Sequence, residues 1–131
     1  MSRRHLSTPP GWREKILIVD DKVMITNMLK VTLEDEGMVE VAENGAEALE
    51  KIVERYFRLI ISDVDMPVMS GIELFEKAIA LYPSIRERFL FYTAHSDSER
   101  VSFFKKNRLN YLMKPAQIKD IRRIVRGIID G

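Results

Sequence analysis

The sequence predicts one α/β domain, a doubly wound parallel sheet of five strands alternating with five helices. Three observations carry that prediction. Five short apolar runs are spaced along residues 14–131, each followed by a stretch with apolar residues at helical spacing. The clearest runs, Ile16-Leu17-Ile18-Val19 and Leu59-Ile60-Ile61, are continuous rather than alternating, as strands buried on both faces are. With 131 residues the chain can bury one core, and no Gly/Ser linker or internal repeat marks a second domain.

The elements follow in order. Ile16–Val19 is a β-branched run stopped by Asp20-Asp21 and reads as the first strand. From about Lys22 to Glu36, Ile25, Met28, Leu29, Thr32 and Leu33 recur at helical spacing, and Gly37 ends the pattern. Met38 to Ala42 alternates weakly, as a second strand would, and Asn44-Gly45 is a turn. Ala46, Leu49, Ile52 and Val53 mark one face of the second helix. Leu59-Ile60-Ile61 is the third strand, ending at Asp63. A loop through Met66-Pro67 and Ser70-Gly71 leads into a helix whose apolar side is Ile72, Phe75, Ile79 and Leu81-Tyr82, stopped by Pro83.

Phe89-Leu90-Phe91-Tyr92 is the fourth strand, with Thr93-Ala94 at its end. Ser96 or Asp97 can cap a helix that holds Val101 and Phe104. Tyr111-Leu112-Met113 is the fifth strand, followed by Lys114-Pro115. The last helix runs through Ile118, Ile121, Ile124, Val125 and Ile128. Residues 1–13, with Ser7, Thr8, Pro9, Pro10 and Gly11, read as a disordered leader ahead of a domain at 14–131.

Composition narrows the function. Hydrophobic residues at 46% and charged residues at 31% are the profile of a soluble globular chain. No cysteine is present, which excludes disulfides, thiolate zinc sites and cysteine nucleophiles, and fits a reducing cytoplasm. No apolar run is long enough to span a bilayer, and the basic N-terminus has no apolar stretch behind it to make a signal peptide. A net charge of +1 gives no overall pull toward nucleic acid. The charge is uneven: residues 1–65 carry 9 Lys/Arg and 13 Asp/Glu, and residues 66–131 carry 12 and 7. Solvated helix faces account for most such asymmetry, with a basic partner surface late in the chain as the sharper reading.

The polar residues at the strand ends are the informative ones. Asp20 and Asp21 follow strand one, Asp63 ends strand three, Thr93 ends strand four and Lys114 ends strand five. In an open parallel sheet ligands bind outside the carboxyl ends of the strands, so these residues should converge. Taken singly, the acids could cap a helix or start a turn, Thr93 could be a satisfied loop hydroxyl, and Lys-Pro a surface turn. Together they bring three carboxylates to one mouth, where their repulsion must be offset by a lysine or a divalent cation. Hard oxygen ligands beside a phosphate suit Mg2+, with Mn2+ as an alternative, and a carboxylate next to such a cation can attack phosphorus. Phosphoryl transfer then needs positioning and charge neutralisation above all. A Lys114–phosphoryl contact at about 4 Å and an effective dielectric of about 20 is worth on the order of 4 kcal/mol before desolvation.

The segments ILIVDD, LIISDVDMPVMSG, FYTAH and YLMKP resemble, in order and spacing, the signatures of response-regulator receiver domains of bacterial two-component and phosphorelay signalling. The resemblance covers roughly residues 15–129. It implies a flavodoxin-like sheet of order 2-1-3-4-5, a topology the resemblance supplies and the residues alone do not. It also implies an aspartyl phosphate on Asp63, received from a histidine kinase or a histidine phosphotransfer protein. Asp20, Asp21, Asp63 and the backbone carbonyl of Asp65 would bind the metal. Lys114 would hold the phosphoryl group. Thr93 would be the switch hydroxyl and Tyr111, three residues before Lys114, the switch aromatic; for Tyr111 a half-buried strand tyrosine is the plainer alternative.

Asp65 and His95 match positions where the family varies and tunes phosphoryl lifetime. Asp65, facing the site, would repel an incoming nucleophile, whereas a solvated loop histidine is the plainer reading of His95. The segment Lys105–Asn110 departs from the pattern in lacking small residues before the fifth strand. The surface of the fourth helix, fifth strand and last helix, with Arg100, Lys105, Lys106, Lys119, Arg122, Arg123 and Arg126, is the expected face for a homodimer or output partner. No membrane association is expected, and no helix-turn-helix or aromatic platform suggests nucleic acid.

Three rival readings fit the sequence less well. A haloacid-dehalogenase-type phosphatase would use Asp63 and Asp65, but Pro67 stands where that motif carries Thr or Val, and two strands come first. A flavin module would want a hydroxyl- and glycine-rich loop where Asp20-Asp21 stand. A degenerate receiver would lack an acid or the lysine, and none is missing. The expected chemistry is therefore the chain's own phosphorylation and dephosphorylation, not turnover of an outside substrate.

Overall fold

The computed structural model describes residues 14–94 and 97–131. Strand β1 (Lys15–Val19) is followed by α1 (Val23–Leu33), β2 (Met38–Ala42), α2 (Gly45–Glu54), β3 (Leu59–Ser62) and α3 (Gly71–Leu81). After a 3-10 turn at Pro83–Arg88 come β4 (Phe89–Thr93), α4 (Ser98–Lys106), β5 (Asn110–Met113) and α5 (Ile118–Asp130). The strands form one parallel sheet in the order β2-β1-β3-β4-β5.

Successive side chains of a strand point to opposite faces, and here both faces are apolar. Leu17, Val19, Ile60, Phe89 and Phe91 pack on one side with Ala48 and Ile52 of α2, Leu74, Phe75 and Ala78 of α3, and Phe104 of α4. Ile16, Ile18, Leu59, Ile61, Leu90 and Tyr92 pack on the other with Leu29 and Leu33 of α1 and Ile121, Val125 and Ile129 of α5. The continuous apolar runs are the direct consequence of this two-sided burial. An aromatic row, Phe75, Phe89, Phe91, Phe104 and Tyr111, fills the first layer with neighbouring centroids 4.8–5.4 Å apart.

Helix starts use side-chain caps where the sequence offers them. Asn44 Oδ1 accepts from Glu47 N, Ser70 Oγ from Glu73 N, and Asp97 Oδ1 from Arg100 N. Between the two candidate caps of α4, Asp97 is the one used; Ser96 lies outside the described residues, as do the leader at 1–13 and His95. The end of α4 is unusual. Arg108 N–H bonds to Lys105 O and Leu109 N–H to Phe104 O, a Schellman motif whose left-handed residue is Arg108 at φ 53°. The segment that lacks small residues therefore still makes the turn a glycine usually makes, with a side chain in the unfavourable region.

Helix faces depart from the expected ones at their ends. Val53, Leu81 and Tyr82 are exposed, and the buried faces are Ala48 with Ile52 and Leu74, Phe75 with Ala78. Val53 lies beside buried Ile52 on an exposed face of α2, and Leu81 and Tyr82 sit where the chain leaves α3. Among the described residues no helix is long and apolar enough to cross a membrane.

Candidate functional site

The carboxyl ends of β1, β3 and β5 are held level by the sheet's own ladder. Asp20 N–H donates to Ala42 O at 3.1 Å, Asp63 N–H to Val19 O at 2.9 Å, and Lys114 N–H to Thr93 O at 2.8 Å. Each residue is thereby pinned at the first position past a strand, on the rigid part of the fold.

The three acids converge. One oxygen from each of Asp20, Asp21 and Asp63 lies within 4.8 Å of the others. Asp20 and Asp63 are only 3% and 4% exposed, while Asp21 faces solvent. Asp20 does not cap α1 in the usual way; its Oδ1 accepts from Lys22 N at 2.9 Å, leaving Oδ2 to Lys114 Nζ at 2.8 Å. Lys114 Nζ also stands 3.6 Å from Asp63 Oδ1 and over the Tyr92 ring, 5.4 Å from its centroid. The ammonium thus bridges the two buried carboxylates.

Asp63 is fixed by further contacts. Its Oδ1 accepts from Val64 N–H at 2.8 Å, and its main-chain oxygen accepts from Ser62 Oγ at 2.8 Å. Burial pushes its carboxyl above the ordinary value; Lys114 pulls it down, Asp20 pushes it up again, and the Val64 N–H and Lys22 pull down. At Gly71 the chain passes so close to Asp63 that a Cβ would overlap the Asp63 main-chain oxygen. Gly71 N–H closes the loop on Val64 O at 2.8 Å, and Val68, at φ 72°, is a β-branched residue in the left-handed region.

Thr93 is fully buried at the end of β4, paired with Met113, and its main-chain oxygen accepts from Lys114 N–H. Tyr111 is half-buried and stacks on Phe104 at 5.0 Å. The side chain of Asp65 is occupied by Arg100, whose Nη1 and Nη2 each donate to a different carboxylate oxygen at 2.7 Å. Asp65 thus meets a cation at the rim, an arrangement the sequence reading did not contain.

Lys22 was also missed. Its Nζ lies 3.4 Å from Asp21 and 3.6 Å from Asp63, so two lysines share the charge of three acids. Its place directly after Asp20-Asp21 was the available signal. Tyr92, which walls Lys114 and accepts from Ala116 N–H at 3.2 Å, had none beyond its strand. Cavities of about 350 and 500 Å³ occur at the opposite edge of the sheet, around Tyr56, Ser84 and Arg88, remote from these acids.

The donor set suits a small hard dication. Three carboxylate oxygens are gathered, two on buried residues and one on an exposed residue, so water can complete the coordination from the Asp21 side. Lys114 leaves a cation beside the same oxygens for an anionic ligand.

Comparison with known proteins agrees with this geometry. The family model for the response regulator receiver domain matches residues 16–126. The transcriptional regulatory protein ZraR of Klebsiella oxytoca is 37% identical over 107 residues, 80% of this chain and 24% of that protein. YesN, an uncharacterized transcriptional regulatory protein of Bacillus subtilis, is 33% identical over 120 residues, 88% of this chain and 32% of that protein. The chain therefore spans a quarter to a third of the length of these two regulators.

Among solved structures, a CheY-like receiver domain protein from Methanospirillum hungatei superposes with a TM-score of 0.80 at 34% identity, covering 89% of this chain and 94% of that one. Response regulator TrrA of Thermotoga maritima, in complex with Mg2+-BeF, gives 0.76 at 29% identity, covering 88% and 98%. With a matching family model over most of its length, the expected strand order and acids gathered at the sheet edge, the chain belongs to the response regulator receiver domain family.

Proposed function

We propose that the chain is a phosphoryl-accepting signalling switch with Asp63 as the acceptor. The observation that carries this reading is the pairing of two buried carboxylates, Asp20 and Asp63, across one lysine, Lys114, beside a third acid. A fold gains no stability from gathering acids in this way, so the arrangement is best explained by what it binds.

Asp20, Asp21, Asp63 and the main-chain carbonyl of Asp65 would hold Mg2+, or Mn2+ in its place. When bound, the metal supplies positive charge against the phosphoryl oxygens. The rest is done by the chain. A carboxylate oxygen of Asp63 forms a bond to phosphorus as the bond from phosphorus to the donor's imidazole nitrogen breaks, and the imidazole leaves with the electron pair. Lys114, already aimed at Asp63, pairs with a phosphoryl oxygen. The Thr93 hydroxyl donates to another, and Tyr111 moves into the space Thr93 vacates. The two-state element biased by that charge is the loop after β4 together with α4.

The donor would be a histidine kinase or a histidine phosphotransfer protein, in the cytoplasm. The α4–β5–α5 face, carrying Lys105, Lys106, Lys119 and Arg122, would meet a second copy or an output partner. A phosphatase built on Asp63 and Asp65 is not favoured, because Arg100 occupies the oxygens of Asp65 and the matches are to receiver domains.

The test is intact-protein mass after incubation with acetyl phosphate and Mg2+. One phosphoryl adduct, abolished by EDTA and absent from Asp63→Asn, is the expected result. If neither acetyl phosphate nor a phosphorylated histidine donor gives an adduct, and Mg2+ with beryllofluoride does not bind, the reading fails.

A further inference from the structure

The loop that follows β3 is tied to the first turn of α4 by Asp65 and Arg100. The tie is a forked one, with both guanidinium nitrogens at 2.7 Å from separate carboxylate oxygens, the strongest geometry for such a pair. Asp65 is two residues past Asp63. Arg100 is the third residue of α4, and Asp97, the cap of that helix, adds a second carboxylate at 3.9 Å. The side chain of Arg100 is 27% exposed, so it lies at the rim of the site, neither free in solvent nor sealed in the core.

The helix it belongs to is lightly anchored. Phe104 is the buried side chain of α4, whereas α2 buries two, Ala48 and Ile52, and α1 and α3 each bury three or more. An element with so few buried contacts opens at low cost, and its position depends on the contacts at its ends. At its carboxyl end α4 stops in the Arg108 turn; at its amino end the fork holds it to the acceptor loop. The fork also lies in the field of the acceptor: Asp65 above all, then Asp97 and Asp63, hold the guanidinium charged.

We propose that Arg100 is a positioning residue for the phosphoryl group, exchanging Asp65 for phosphoryl oxygens when Asp63 is phosphorylated and carrying the first turn of α4 with it. The proposal rests on the phosphoryl-acceptor reading of Asp63. Phosphorylation replaces one carboxylate charge by nearly two, spread over three acceptor oxygens, and a planar fork matches phosphoryl oxygens as well as it matches a carboxylate. Asp65 and the phosphoryl group are rival acceptors on one loop for a single guanidinium. The charge at Asp65 therefore sets how strongly the helix responds. This gives Asp65 a role in phosphoryl lifetime that runs through Arg100, in place of direct repulsion of a nucleophile.

The experiment is calorimetric titration of beryllofluoride into the full chain at saturating Mg2+, for wild type, Arg100→Gln, Arg100→Lys, Asp65→Asn and the Asp65→Asn/Arg100→Gln double variant. Arg100→Gln should weaken binding about tenfold, the loss of a charge-assisted contact. Arg100→Lys, which keeps the charge without the fork, should fall between. Asp65→Asn should tighten binding in the presence of Arg100 and have little effect in its absence. Hydrogen exchange should also show the first turn of α4 responding to beryllofluoride in wild type and not in Arg100→Gln.

Equal affinity of Arg100→Gln and wild type overturns the proposal. So does an Asp65→Asn effect of the same size in both backgrounds, which is the signature of simple repulsion. Wild type that binds no beryllofluoride and takes no phosphoryl adduct from either donor overturns the acceptor reading itself, and the role of Arg100 with it; binding by wild type with no Arg100 effect overturns the present proposal alone.

Discussion

Replacing the acceptor by its neutral isostere should stabilise the metal-free protein. In Asp63→Asn the amide oxygen can keep the 2.8 Å bond from Val64 N–H, so the change is chiefly the loss of one buried charge. Lys114 at 3.6 Å attracts that charge by about 5 kcal/mol at an effective dielectric of about 20. Asp20, with an oxygen within 4.8 Å, repels it by about 3.5 kcal/mol on the same scale. Lys22 is largely exposed and adds at most about 1 kcal/mol. The balance favours the charge by only about 2–3 kcal/mol, against a desolvation cost of several kcal/mol for a carboxylate that is 4% exposed.

The raised pKa of Asp63 has the same sign: its ionised form is less favourable in the fold than in the unfolded chain. A raised pKa means that the favourable contribution is present below the unfolded value of 3.8 and is lost as pH rises through the folded value. We therefore expect Asp63→Asn to be more stable than wild type by about 1–3 kcal/mol at pH 7 in EDTA. The difference should shrink as pH falls toward 4. Urea melts across that range measure it directly. Saturating Mg2+ should stabilise wild type more than the variant, which has lost a metal ligand. A variant less stable than wild type at pH 7 in EDTA, or a gap that widens toward pH 4, would refute the reasoning.

Three further outcomes follow from single residues. Lys22→Ala should tighten Mg2+ binding about threefold at low salt, because the ammonium 3.4 and 3.6 Å from Asp21 and Asp63 competes with the metal; titration at two ionic strengths measures it. Gly71→Ala should cost about 2–3 kcal/mol, since its Cβ would overlap the Asp63 main-chain oxygen, and phosphorylation should slow along with the loss of stability. Arg108→Gly should raise stability by about 0.5–1 kcal/mol in thermal melts, as relief of the left-handed φ of 53° outweighs the added freedom of the unfolded chain.

The fold was legible because two-sided burial leaves a plain trace. A strand such as Leu59–Ser62 needs apolar residues on both faces, and no amphipathic helix produces that run. Strand ends were equally plain, since the first charged residue after each run, Asp20, Asp63 and Lys114, marks where the chain reaches the sheet edge. The helix ends were less so. Leu81 keeps the apolar period for one more turn after buried Ala78, and Val53 sits beside buried Ile52 on an exposed face; periodicity alone cannot register where the partner surface stops. The six-residue 3-10 turn at Pro83–Arg88 went unread because Pro83 announces only the end of α3.

At the site, the residue types and their convergence were readable, but the ion pairing was not. Arg100 meets Asp65 across 35 positions, and its charge in the sequence is indistinguishable from those of Lys105 and Lys106. Which cation reaches which acid is decided by the path of α4 over the sheet edge. Lys22 is the intermediate case: its neighbours were recognised, and only its side-chain direction was missing.

The most direct test of the acceptor assignment is borohydride trapping after incubation with acetyl phosphate and Mg2+. Borohydride reduces an aspartyl phosphate to homoserine, and peptide mass mapping then locates it. Homoserine at position 63, with Asp20, Asp21 and Asp65 unchanged, is the result we expect. Homoserine at another acid, with position 63 intact, would contradict the assignment of Asp63 as the phosphoryl acceptor.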